Sequence, residues 1–156
     1  MKLACDAMLG KLARWLRILG FDTILFDSKT PDAMVTKKSK GRILLTRDKR
    51  LARQPKAVYV LSHDIEGQLQ EVFGALKLKS GFPRGTRCPL CNGKLTRTAR
   101  PISIPERVRS CLFWRCQKCG HAYWRGSHWV KITRTAEQLH AKKGIPKCTA
   151  TPIQQV

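Results

Sequence analysis

The chain has 156 residues, 31 Lys and Arg against 10 Asp and Glu, and a formal net charge of +21 with a pI near 10.4. That length suits one ordinary domain, or one compact domain plus a small module, and that charge, spread along the whole chain, attracts phosphate polymers more readily than a lipid surface. No run approaches the roughly 18 apolar residues of a membrane span, and the start lacks the apolar stretch of a signal peptide, so a cytoplasmic protein without membrane association is expected.

In chain order, residues 2–5 ("KLAC") form a short predicted strand that ends at Asp6. Over residues 7–19, Met8, Leu9, Leu12, Trp15, Leu16 and Leu19 recur at helical spacing, while Lys11, Arg14 and Arg17 face elsewhere; Gly20 then stops the helix. "DTILF" is a second strand, and "TPDAMVTKKSK" a second helix with Thr30 as N-cap, Pro31 in its first turn and Gly41 as its stop. "RILL" is a third strand, "DKRLARQ" a short helix, "AVYVL" a fourth strand and "DIEGQLQEVFGALKL" a further helix. Strands alternating with helices predict right-handed crossovers and an α/β fold with a small parallel sheet and flanking helices. "KSGFPRGTR" reads as a linker to a cysteine-rich second half, and the chain after residue 133 as a tail that starts with a short helical stretch and continues basic and largely flexible.

Before Glu66 every acidic residue is an aspartate: Asp6, Asp22, Asp27, Asp32, Asp48 and Asp64. Loops at the carboxyl ends of parallel strands line the binding crevice, and Asp6, Asp48 and Asp64 all follow strands there. Short, hard carboxylate ligands in such a group suit Mg²⁺ or Mn²⁺. Each aspartate also has a structural reading. Asp48 and Asp64 stand where an N-cap would, Asp32 lies in the first turn of its helix, Asp22 is placed to pair with cations, and Asp27 follows a strand without a distinguishing context.

Six of the seven cysteines fall after residue 87, a clustering that favours metal over disulfides. "CPLC" and "CQKC", with 24 residues between Cys91 and Cys116, predict a structural Zn²⁺ held by Cys88, Cys91, Cys116 and Cys119. Cys111, His121 and His128 are not expected to be ligands, and Cys5 is read as a buried strand residue. Tyr123, Trp124 and Trp129, beside Arg125, suit stacking on unpaired bases, or equally the covering of the zinc hairpins.

"CDAMLGKLARWLRILGFDT" followed by "GRILLTRDKRL" closely resembles the PIN-like ribonuclease domain called the Mut-seven C-terminal RNase domain, and "CPLCNGKL" and "FWRCQKCGHAYWRGSHW" resemble the zinc ribbon that often follows it. The similarity covers roughly residues 2–130. It implies a PIN-like domain over residues 1–80 and a zinc ribbon over 81–133, leaving 134–156 as the tail. It further implies that Asp6 is the first metal-binding acid, Asp48 the acid of a Thr-x-Asp motif formed with Thr46, and Asp32 the helix acid, with Asp64 and Asp27 as additional candidates. The implied chemistry is hydrolysis of RNA phosphodiester bonds assisted by Mg²⁺ or Mn²⁺. Arg47, Lys49 and Arg50 would contact the phosphate backbone, and Arg14 and Arg17 are expected to join them.

Two readings stand: a metal-dependent ribonuclease whose ribbon helps hold RNA, and a non-catalytic RNA-binding or ribonucleoprotein assembly factor that keeps the fold. RNA is favoured over DNA because no recognition-helix motif is present.

Overall fold

A computed structural model describes residues 1–78, 85–110 and 112–141; for residues 127–129, 131, 140 and 141 it describes the backbone path alone. The first domain runs β1 (Lys2–Cys5), a 3₁₀ turn (Ala7–Leu9), α1 (Gly10–Ile18), β2 (Asp22–Leu25), α2 (Asp32–Lys38), β3 (Ile43–Thr46), a second 3₁₀ turn (Leu51–Arg53), β4 (Ala57–Tyr59) and α3 (Ile65–Ala75). Its strands form one parallel sheet in the order β2-β1-β3-β4, with Cys5 opposite both Leu25 and Leu45.

Alternation along the strands sends side chains to two cores. Leu3, Cys5 and Leu45 face α1 and α3, where Leu9, Leu12, Leu16, Leu69, Val72 and Phe73 meet them. Ala4 and Leu44 face the other way, onto Phe26, Val35 and Leu51. Helices on both faces follow from the strand order, because the chain steps from β1 outward to β2 and then crosses back to β3 on the other side.

The local signals act much as their chemistry dictates. Gly20, at φ 93°, closes α1 with paired bonds from Phe21 N–H to Leu16 O and from Gly20 N–H to Arg17 O, both 2.9 Å. The first helix does not run unbroken over residues 7–19. Residues 7–9 wind at three residues per turn, which shifts the phase of the apolar stripe and leaves Met8 66% exposed. Thr30 does not cap α2; Pro31 precedes its first turn in extended backbone, and no side-chain cap bond is made. "DKRLARQ" reduces to the 3₁₀ turn Leu51–Arg53.

The second half carries an antiparallel sheet of β5 (Leu95–Thr98), β6 (Phe113–Cys116) and β7 (Ala122–Trp124), followed by α4 (Ser127–Ala141). α4 runs through the expected boundary at residues 133 and 134. Ala136 and Leu139 join the core beneath α3, so burial of an apolar face, rather than the polar composition of the segment, decides this stretch. Among the described residues no helix is long and apolar enough to cross a membrane.

Candidate active site and metal centre

β1 and β3 are neighbours at the point where the strand order reverses, and it is there that an open parallel sheet forms a crevice at its carboxyl edge. Asp6 leaves β1 at this point and is only 6% exposed. Its Oδ1 accepts from Met8 N–H at 2.9 Å; its Oδ2 accepts from Arg47 N–H at 2.7 Å and from the Thr46 hydroxyl. That hydroxyl in turn accepts from Asp48 N–H at 2.9 Å. Thr46, buried at the end of β3, therefore ties the first candidate acid to the second.

Asp48 Oδ1 accepts from Arg50 N–H at 2.6 Å and more weakly from Leu51 N–H at 3.4 Å. Those backbone bonds, with the Arg50 charge, hold its carboxyl below the usual range. Its Oδ2 lies 3.7 Å from Arg50 Nη2, and the same nitrogen lies 3.8 Å from Asp32 Oδ2. One guanidinium thus brings the third candidate acid up to the second, across an exposed contact that salt screens readily.

Asp27 and Asp64 serve local turns instead. Asp27 Oδ1 accepts from Lys29 N–H at 2.9 Å, and Asp64 caps α3 through Gly67 N–H at 2.8 Å, a bond that lowers its carboxyl pKa. Among the described residues the acids do not form a ready group of three within one metal's span. Asp6, Asp48 and Asp32 are linked through Thr46 and Arg50. Their chemistry still matches a hard cation that takes one or two carboxylates and completes its shell with water and phosphate, since Asp6 Oδ1 and Asp48 Oδ2 each retain lone pairs.

The basic residues divide. Arg14, Lys49 and Arg50 are exposed. Arg47 directs its Nη2 to the His63 ring, 3.1 Å from Nδ1, at the same edge of the sheet. Arg17 corrects the expectation of a phosphate contact. It is 5% exposed, and its guanidinium is committed to carbonyls: Nε to Thr23 O at 2.8 Å, Nη1 to Pro89 O at 2.9 Å and to Leu90 O at 2.8 Å. Helical spacing set Arg17 apart from the apolar stripe but could not reveal that a second module covers it.

That module brings together four cysteines that could hold a metal ion. The sulfurs of Cys88, Cys91, Cys116 and Cys119 all lie within 4.8 Å of one another, with Cys88 to Cys119 at 3.7 Å and Cys91 to Cys116 at 3.5 Å. Four thiolates at about 2.3 Å from a tetrahedral Zn²⁺ stand about 3.8 Å apart, so the set fits zinc and is far too open for disulfides. Each pair sits on a tight turn: Asn92 N–H bonds Cys88 O and Gly120 N–H bonds Cys116 O, both at 2.9 Å, and Asn92 and Gly120 take φ of 63° and 72°. Burial opposes ionisation of Cys116, but N–H groups of Cys119 and Lys118 directed at its sulfur bring it down to about 7. At Cys119 a backbone bond at His121 acts downward, yet the neighbouring Cys91 thiol and burial push it up to about 12. A divalent ion held by the four cysteines would remove that disparity by taking all of them as thiolates. Tyr123, raised by burial and by Cys88, keeps its proton and stands 3.0 Å from Cys88 Sγ.

Trp124 is exposed and Arg125 lies beside it, whereas the side chain of Trp129, like Cys111, lies outside the described residues. Sequence reasoning missed His63, and it missed the joint role of Asp22, Arg42, Arg87 and Asn92 described below. The Asn-Gly pair after the second cysteine, a signal for left-handed backbone, is the clue that could have pointed to Asn92.

A doubly wound α/β domain with acids at its switch point, followed by a four-cysteine ribbon, defines the class. The chain belongs to the Mut7-C RNAse domain family, whose model matches residues 1–136. No curated protein and no solved structure matches it significantly.

Proposed function

We propose that the chain is a ribonuclease that cleaves RNA phosphodiester bonds at the carboxyl edge of its sheet, with Asp6, Asp48 and Asp32 holding Mg²⁺ or Mn²⁺ and the ribbon loaded with structural zinc. The observation that carries this reading is the placement of Asp6: a buried carboxylate at the switch point, oriented by three donors and coupled through Thr46 to Asp48. A bound divalent cation would supply Lewis acidity and lower the pKa of water at the scissile phosphate. Asp6 and Asp48 orient the site, and Arg47, Lys49, Arg50 and Arg14 offer cations to the RNA backbone without reading its sequence. Exposed Trp124, with Arg125, offers a stacking face for unpaired bases. The net charge of +21 favours association with RNA in the cytoplasm.

A second reading, an RNA-binding or ribonucleoprotein assembly factor that does not cut, draws on a specific observation. Asp6 already accepts three protein donors, and Asp48 and Asp32 share an arginine. Incubation of the full chain with single-stranded and structured RNA in Mn²⁺, beside Asp6→Asn and Asp48→Asn, separates the two. The ribonuclease reading expects cleavage that both variants lose while RNA binding persists. Absence of cleavage overturns it in favour of the second, and equal cleavage by all three proteins marks a contaminating nuclease.

A further inference from the structure

β2 is an edge strand, and an edge strand leaves a row of backbone groups without a ladder partner. At Thr23 both outward groups are taken by side chains. Its N–H donates to Asn92 Oδ1 at 3.0 Å, and its carbonyl accepts from Arg17 Nε at 2.8 Å. Neither arrangement is local, because Asn92 belongs to the first cysteine turn, and the other end of the Arg17 guanidinium grips Pro89 O and Leu90 O of the same turn. Asn92 also donates to Asp22 Oδ1 at 2.8 Å, and Arg87, just before Cys88, reaches Asp22 Oδ2 at 3.4 Å.

A buried guanidinium tolerates removal from water only when its N–H groups find acceptors. Two of the three carbonyls that serve Arg17 lie between Cys88 and Cys91, on a turn whose shape depends on both thiolates meeting one ion. Asn92 holds a left-handed conformation there, which is what aims its amide at Thr23 and Asp22. A turn released from metal has no comparable reason to keep those carbonyls and that amide in place, because so small a module has little core of its own.

We propose that the first cysteine turn is a zinc-dependent cap on the α/β domain: metal held by Cys88 and Cys91 fixes Pro89, Leu90 and Asn92 against Arg17, Thr23 and Asp22, closing the edge of β2. This rests on the zinc reading of the four cysteines and is independent of whether the chain cleaves RNA. Arg17 is then a positioning residue that acts through the ribbon. Loading the ribbon stabilises the domain that carries the acids, with Asp6 at the end of β1, the strand that pairs with β2.

Hydrogen exchange of the full chain, with zinc content measured in parallel, tests this. With one zinc per chain, the Thr23 amide should be protected, and chelation should speed exchange across residues 10–25 as well as in the ribbon. Asn92→Gly keeps the left-handed backbone and all four cysteines but removes the amide. It should retain zinc while the Thr23 amide exchanges about tenfold faster. Arg17→Lys loses the fork that joins three carbonyls and should give up zinc to a chelator several times faster. Exchange over residues 10–25 that is unchanged by chelation and by Asn92→Gly, in a protein that binds zinc, overturns the cap alone. A chain that binds no zinc overturns the zinc reading and the cap together.

Discussion

Thr46 and Asp6, 40 positions apart, meet through a hydroxyl-to-carboxylate hydrogen bond at the junction of β1 and β3. The Thr46 oxygen also accepts from Asp48 N–H, so its single proton is directed to Asp6, and one buried hydroxyl orders both acids. Thr46→Val keeps the branched shape and strand preference but leaves Asp6 Oδ2 with the Arg47 N–H alone and takes the acceptor away from the half-buried Asp48 N–H. It should cost about 1–3 kcal/mol in chemical denaturation and reduce RNA cleavage more than tenfold, while Thr46→Ser restores most of both. Valine with wild-type stability and cleavage would show that the hydroxyl organises nothing.

Arg50 stands where Asp32 and Asp48 would otherwise repel each other, at 3.8 and 3.7 Å, and its side chain is 80% exposed. An exposed pair of this kind adds little to stability, so Arg50→Gln should change the unfolding free energy by less than about 0.5 kcal/mol. Removing the competing cation should instead tighten Mn²⁺ binding several-fold in titration calorimetry. The slope of RNA affinity against salt should fall by about one phosphate contact. Weaker Mn²⁺ binding in the variant would place Arg50 outside the acidic site.

The sheet was legible because its strands are short apolar runs bounded by helices of amphipathic period, and parallel pairing follows from that alternation. So was the fact that Asp6 and Asp48 follow neighbouring strands, since a doubly wound order sets β1 and β3 side by side. The cysteine set was legible from spacing alone. Arg17 was not, because a basic residue outside an apolar stripe looks solvent-exposed until a second module supplies the carbonyls that let it be buried. Asp22 likewise read as an ordinary cation partner, whereas it receives Arg42, Arg87 and Asn92 together. Only a short helix was legible at the start of the tail, and the extent of α4 was not, for the converse reason: its few apolar residues, Ala136 and Leu139 among them, suffice because α3 offers them a face. Pairing across modules leaves no periodic trace in sequence.

Asp22 gives the acid limb of stability a specific origin. Burial works against its ionisation, but bonds from Arg42 at 2.8 Å and Asn92 at 2.8 Å, with the Arg42 and Arg87 charges, hold its carboxyl below the usual carboxylate range. A carboxyl whose folded pKa is depressed binds fewer protons folded than unfolded, so its contribution is complete above the unfolded pKa near 3.9. It is lost as pH falls through the folded value. Asp22→Asn should lower stability by about 2 kcal/mol at pH 7. The gap from wild type should hold down to about pH 4 and narrow below it, as followed by urea unfolding. Asp48, Asp64 and Glu71, whose carboxyls are also held low, are common to both proteins and cancel in that difference. A gap that stays constant into strong acid would mean that Asp22 acts by shape and not by charge.

Gly93 and Gly120 follow the two cysteine turns, yet they answer to different constraints. A Cβ on Gly93 would stand 2.7 Å from Cys116 Sγ and 2.8 Å from Lys118 Cβ, inside the space where the two turns close on each other. Gly120 has nothing within 4 Å of its Cβ position, and only its φ of 72° resists a side chain. Gly93→Ala should therefore push the turns apart, lower zinc affinity at least tenfold in a chelator competition and weaken the tetrahedral thiolate spectrum of the cobalt-substituted protein. Gly120→Ala should cost only the backbone strain, about 1 kcal/mol, and bind zinc nearly as well as wild type. If the two alanines instead weaken zinc equally, backbone conformation rather than packing between the turns would govern the metal centre.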